Sequence, residues 1–265
     1  GKQVGLLSNS PNRSAVIRDD LMHHKGVIGT YDHILTSGDS SYRALKDYEG
    51  SSVYCIWDEE NPTCLEGLSI TRVPTPDEAD IVLVSLLPRN AKTEDYMDIV
   101  RHMANLKLPM ICANADLIVN VGRDLCLCAG AIAEAYEALG GAVSWHGKPH
   151  TEVYSELFDM MGAPDKTRLC AIGDSLRTDI QGGGAFGIDT VWNLVGIHAA
   201  ELHRGNEMDV SAVRAAMDEW TYAPNWIMTG LRPGYPMGAR PKNKFTVDKG
   251  RKIEQAVKGD LNGTV

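Results

Sequence analysis

An apolar run that halts at a glycine and then delivers two acids constrains this chain more than any other stretch. Leu169-Cys-Ala-Ile-Gly-Asp-Ser-Leu-Arg-Thr-Asp179 is followed directly by Ile-Gln-Gly-Gly-Gly184. A short apolar segment bounded by turn residues reads as a buried parallel strand. Open α/β sheets bind ligands beyond the carboxyl ends of such strands, which is where Asp174 and Asp179 would lie. Two hard carboxylates in one turn suit Mg²⁺. The same acids also fit a plain capped turn, with Asp179 supplying negative charge at a helix N-terminus.

The rest of the chain alternates in the same way. The pattern predicts a strand over 4–8, then a turn rich in N-cap residues, Ser8-Asn-Ser-Pro-Asn-Arg-Ser14, then a helix over 15–24 with Val16, Ile17 and Leu21 at helical spacing. A second short strand over 33–36 leads into a helix that starts at Ser37. Buried strands are expected over 52–57, 81–85 and 108–113, the last ending in the turn Asn114-Ala-Asp116. A helix over 96–106 should bury Ile99, Met103 and Leu106. Another over 129–139 should stop at Gly140-Gly141. Pro149 suits the first turn of a helix reaching about 161, with Val153, Leu157 and Met160 inward. A strand over 190–194 and a helix over 210–220 complete the series. Strand and helix in alternation give an α/β fold with a parallel sheet.

Composition narrows the class. The chain has 265 residues, enough for two domains, and 43% of them are hydrophobic. Its longest apolar run, 81–87, is far short of a membrane span. A net charge of −9 argues against a nucleic-acid-binding body. From Leu231 onward, however, eight Lys/Arg stand against three Asp/Glu, so a Pro-containing tail of about +5 follows a body of about −14. Such a basic segment is expected to meet a protein partner. The six cysteines include no Cys-x-x-Cys pair, and most sit in apolar runs as small hydrophobes. Reduced thiols, and a cytoplasmic or mitochondrial-matrix setting, are expected. Cys126 and Cys128, spaced by two, would share one face of an extended segment. No signal peptide is visible, though the chain opens at Gly1 without Met.

Three further residues carry chemistry by position. Ser8 follows a strand and precedes a helix, where a hydroxyl among free backbone N–H groups can cradle a phosphoryl oxygen; a simple N-cap role fits equally. Lys148 precedes a helix N-terminus, an unfavourable place for an ammonium unless an anion or carboxylates are near. His146 and His150 flank it and are candidates for catalysis or for ordinary loop positions.

A hydroxyl, a lysine and a carboxylate pair, each ending a strand–helix unit and in this order, resemble the haloacid dehalogenase superfamily. Ser8 matches motif II, Lys148 motif III, and Asp174 with Asp179 motif IV. The Gly-Lys-Pro form, the Ser-Asn-Ser turn and the long separation of motifs II and III are similar to subfamily IIA, the nitrophenylphosphatase-like group. Residues 129–141 look like that group's return helix from cap to core. The resemblance covers roughly residues 1–226. It implies a Rossmann-like parallel-sheet core, from 1–36 and 140–226, with an inserted α/β cap of the C2 type at 37–139 and a tail at 227–265. It also implies a Mg²⁺-dependent phosphohydrolase acting on a small phosphorylated metabolite. Ser8, Asn9 and Lys148 would hold the phosphoryl group, and Asp174, with Asp179, the metal. In that family an Asp on the first strand attacks phosphorus, and a second Asp two residues later is the general acid and base. This sequence contains no Asp-x-Asp. The expectations are therefore either a phosphatase whose nucleophile lies upstream, or a catalytically inactive accessory subunit of a larger, organellar assembly. In the first case a central strand is missing beside 4–7 and 169–172.

Overall fold

The computed structural model describes residues 1–23, 27, 29–57, 63–121, 124–204 and 207–229. It divides into two compact units, Gly1–Ala163 and Pro164–Val265.

The first unit opens with β1 (Gly5–Ser8), α1 (Ser14–His23), β2 (His33–Thr36) and α2 (Ser37–Leu45). β1 and β2 form a parallel pair in the register Gly5 to His33 through Ser8 to Thr36. Then come β3 (Ser52–Ile56), β4 (Thr71–Val73), β5 (Ile81–Val84), α3 (Met97–Leu106) and β6 (Met110–Cys112). They are followed by the hairpin β7 (Ile118–Val121) and β8 (Asp124–Leu127), then α4 (Ala129–Ala138), β9 (Val143–Trp145) and α5 (Thr151–Met160). Five of these strands make one all-parallel sheet in the order β4-β3-β5-β6-β9.

Strand alternation builds a core on each face of that sheet. Ile56, Val82, Val84, Met110 and Cys112 point toward α3 and α4, where Val100, Met103, Ile132, Ala133 and Tyr136 meet them. Val53, Ile81, Leu83, Ile111 and Ala113 point the other way, onto Leu45 and Cys64. Burial on both faces explains why β5 reads as an unbroken apolar run. α5 packs across β1 and β2. Two helix faces differ from expectation. Val100 is buried in α3 while Leu106 is 40% exposed, and Tyr154 is buried in α5 while Met160 is 42% exposed. In each case the expected residue is the last of its helix, beyond the layer it was expected to cover.

The second unit contains β10 (Cys170–Gly173), a π-type turn at Leu176–Ile180, α6 (Gln181–Phe186), β11 (Asp189–Asn193), α7 (Ala199–Leu202), β12 (His203–Arg204), β13 (Glu207–Met208), α8 (Val210–Asp218) and β14 (Trp226–Met228). β10, β11 and β14 form a parallel sheet in that order. Its core gathers Leu176, Ile180, Trp192, Leu194, Leu202, Val213 and Met217.

Two sequence boundaries move. β9 pairs with β6, so the five-stranded sheet continues past residue 139, where the cap was expected to end. β14 occupies 226–228, so ordered structure runs into the expected tail; residues 230–265 of that tail lie outside the described residues. β10 is parallel as expected, but not buried on both faces: Cys170 is exposed and Ile172 is 55% exposed. Among the described residues β1 and β10 each pair with a strand on one side alone. No helix among them is long and apolar enough to cross a membrane.

Tyr136 ties these layers together. Its ring is fully buried and its hydroxyl reaches the carbonyl oxygens of Leu108 and, at 3.3 Å, Met103. Tyr136→Phe keeps the packing but leaves buried carbonyls without their donor, and should lower unfolding free energy by about 1–3 kcal/mol in a urea titration.

Candidate functional site

In the first unit the polar turn after β1 is built by side chains that cap their own backbone. Ser8 Oγ accepts from the Ser10 N–H at 3.2 Å, and Ser10 Oγ from the Asn12 N–H at 3.3 Å. A hydroxyl that accepts one bond still has its own hydrogen to donate, so Ser8 suits an anionic oxygen. The turn is fastened to the start of α2. Gly38 N–H and Ser37 Oγ both donate to the Ser10 carbonyl, at 3.0 and 2.8 Å. Thr36 caps α2 and forms a reciprocal capping box with Asp39, whose carboxylate also accepts from the Ser14 N–H.

Asn9, 6% exposed, turns its amide toward Lys148. Its Oδ1 accepts from the Lys148 N–H at 2.7 Å, and its Nδ2 donates to the Lys148 carbonyl at 2.9 Å and to Asp116 Oδ1 at 3.0 Å. Both amide hydrogens are thereby engaged, so the side chain assigned to phosphate from sequence is engaged by protein instead. Ser8 and Lys148 come to neighbouring turns in one unit because of it. Gly147 permits the approach: its φ is +112°, and a Cβ there would sit 2.6 Å from Asn9 Oδ1. Lys148 is joined to Pro149 by a cis peptide bond, and His150 is the N-cap residue of α5. The sequence places Asp116 in a turn expected either to line the cap side of a cleft or to serve as a turn alone. Its N–H is held by Asn114 Oδ1 at 2.9 Å, as in an Asx turn, and nothing in the sequence marks its partnership with Asn9.

His146 is clamped rather than presented. Its Nδ1 lies 2.8 Å from Ser40 Oγ, its Nε2 lies 3.1 Å from Ser144 Oγ, and its N–H donates to the Cys112 carbonyl. Burial, then the neighbouring His150 and Arg43, push its pKa down to about 4 against a weaker opposing pull from Glu152. A ring held neutral between two hydroxyls is a structural imidazole at neutral pH. His150 stacks on Trp145, with ring centroids 5.6 Å apart.

The second unit holds the two acids in one turn. Asp174 follows β10; its Oδ2 accepts from the Ile197 N–H at 2.9 Å, and its carbonyl accepts from Trp192 Nε1 at 3.1 Å. Gly196 makes this closure possible. Its φ is +150°, and a Cβ would lie 1.9 Å from Asp174 Oδ2. Asp179, buried in the π-type turn, accepts from the Ser175 N–H at 3.1 Å. A π-type turn in such a place is a frequent mark of functional sites. Among the described residues no cluster of three or more His, Cys, Asp or Glu forms. A carboxylate pair nevertheless fits Mg²⁺, which takes one or two carboxylates and completes its shell with water and substrate oxygens. All six cysteines are free thiols, and burial raises those of Cys55, Cys64 and Cys128 to about 12.

Comparison with known proteins bears on these turns. Residues 145–220 match the HAD-hydrolase-like family. A haloacid dehalogenase-like family hydrolase from Brucella suis is 27% identical and superposes with a TM-score of 0.70 over 87% of this chain and 83% of its own. The fold is haloacid dehalogenase-like. The p-nitrophenyl phosphatase from Archaeoglobus fulgidus shares the fold at 21% identity and TM-score 0.63, covering 87% of this chain and 84% of that one. So does the glycerol phosphate phosphatase from Mycobacterium tuberculosis, solved in complex with magnesium, at 22% identity and TM-score 0.57, covering 84% and 64%. No curated protein matches the sequence. The family match takes in Lys148, Asp174 and Asp179 and leaves Ser8 and Asn9 outside it.

The depressed His146 pKa has a defined effect on stability. Its folded value, about 4, lies below its ordinary 6.5, so the unfolded chain binds the extra proton between those values. Stability is whole above pH 6.5 and falls as pH drops toward 4. His146→Gln, which can still bond both serines, should flatten that fall by on the order of 2 kcal/mol, read from denaturation midpoints at pH 7 and pH 4.5.

Proposed function

We propose that this chain carries the phosphate- and metal-holding residues of a Mg²⁺-dependent phosphate monoester hydrolase of subfamily IIA. The observation that carries the reading is the pair of bonds from Asn9 to Lys148, which brings a strand-end hydroxyl and an ammonium-bearing turn together. Ser8 donates its hydroxyl hydrogen to a phosphoryl oxygen, and Lys148 offsets the phosphate charge. In the second unit Asp174, with Asp179, would hold Mg²⁺, whose chemistry when bound is to offset phosphoryl charge. The cap is the five-stranded sheet with its helices, which selects a small phosphorylated substrate.

Hydrolysis through an aspartyl-phosphate needs two more acids. One carboxylate oxygen bonds to phosphorus as the bond to the leaving oxygen breaks, and a second acid protonates that oxygen. Water then attacks phosphorus as the second acid's carboxylate takes its proton, which frees phosphate and the first carboxylate. These 265 residues contain no Asp-x-Asp, so neither acid of that step is supplied by such a motif of this sequence. The same lack of Asp-x-Asp favours a second reading, a binding subunit that holds phosphate and Mg²⁺ without turnover.

Hydrolysis of p-nitrophenyl phosphate by the protein, with and without Mg²⁺, separates the two. Mg²⁺-dependent turnover that falls about a hundredfold or more in Asp174→Asn and in Lys148→Ala supports the hydrolase. Orthophosphate binding without turnover supports the binding subunit. Absence of both turnover and orthophosphate binding rejects the site.

A further inference from the structure

Both polar atoms of the Asn9 side chain are engaged by protein. Its partners are a donor, the Lys148 N–H, and two acceptors, the Lys148 carbonyl and Asp116 Oδ1. That set admits one orientation of the amide: oxygen toward Lys148 N–H, nitrogen toward the two oxygens. The amide thus grips the N–H and the C=O of a single residue, as a neighbouring strand would, but it does so across 139 residues of sequence. Two bonds to one residue fix its orientation as well as its location. The third, to Asp116, fixes the amide against the loop that follows β6.

We propose that Asn9 is a positioning residue for the Lys148 ammonium, acting through the Lys148 peptide, and that it does not bind phosphate through its side chain. The inference rests on the proposed role of Lys148. The approach is tight, since nothing larger than glycine fits at 147 against Asn9 Oδ1. A lysine stem attached to a peptide that can rotate samples many positions for its ammonium. One attached to a clamped peptide samples few, and a hydrogen bond to phosphate then needs less ordering on binding.

Two measurements on the 265-residue chain test this. In Asn9→Ala, hydrogen exchange of the Lys148 amide should quicken by about tenfold or more while amides in β9 and α5 keep their rates. Orthophosphate binding in the presence of Mg²⁺, by calorimetry, should weaken by about tenfold in Asn9→Ala and by more in Lys148→Ala. The double variant should bind no more weakly than Lys148→Ala, because there is then no ammonium left to position. Additive losses would make Asn9 a phosphate ligand and overturn the proposal. An unchanged Lys148 exchange rate would also overturn it, including when thermal stability falls. If the unaltered chain does not bind orthophosphate, the proposed function fails, and the exchange rate alone still decides how Asn9 acts on Lys148. Should Asn9→Ala not fold, Asn9→Asp keeps an acceptor for the Lys148 N–H but loses both donated bonds and faces the Asp116 carboxylate. An unshifted Lys148 amide resonance in that variant would count against the proposal.

Discussion

Loops that follow buried parallel strands carry peptide groups into places where water is scarce, and each group needs a partner. In the first unit short polar side chains supply those partners. Thr36 and Ser37 are fully buried, and Asp39 is 8% exposed. Ser37 Oγ reaches the carbonyls of Ser10 and Ala113, at 2.8 and 2.7 Å, and so joins the turn after β1 to the end of β6. Asp39 serves the N–H groups of Thr36 and Ser14. Asn9 serves Lys148. Each bond contributes on the order of 1 kcal/mol, but leaving any buried member unpaired costs more than the bond is worth. The turns are therefore defined by a shared set of hydrogen bonds, and the chemistry-bearing side chains inherit their positions from it.

Much of this was legible before any coordinates. The apolar run at 81–85 announced a strand because burial on both sides leaves no room for polar alternation, while those at 4–8 and 169–173 form strands without that full burial. Asp174 and Asp179 were visible as a pair because a strand, a glycine and a π-type turn lie contiguous in sequence. The short strands β4, β9 and β14 were not legible. Three residues carry too little periodicity, and pairing with a neighbour already in the sheet is what makes each a strand. The partners of Asn9 were hidden for a different reason. Side-chain bonds between loops more than a hundred residues apart leave no local pattern, and the one trace is Gly147, whose lack of a side chain gains meaning only beside Asn9.

The two groups of proposed site residues are thus encoded in unlike ways. Asp174 and Asp179 depend on local geometry: Ser175, Ile197 and Trp192 supply their bonds within one short sheet. Local contacts form early and at small entropic expense. Ser8 and Lys148 depend on closure of a long loop that contains an entire five-stranded sheet, so their arrangement is complete only when the first unit has folded.

Among the described residues β10 pairs with β11 alone, and a segment that added to its other edge would be selected by its side chains. Four residues of ladder offer few hydrogen bonds, so a chance extended segment gains little there and departs. Ile172 stands more than half exposed beside that edge, with Cys170 two residues before it on the same face. A segment whose own side chains cover Ile172 gains apolar burial in addition to backbone pairing. Selectivity at such an edge comes from the side chains of the incoming segment, since the backbone bonds are the same for every sequence.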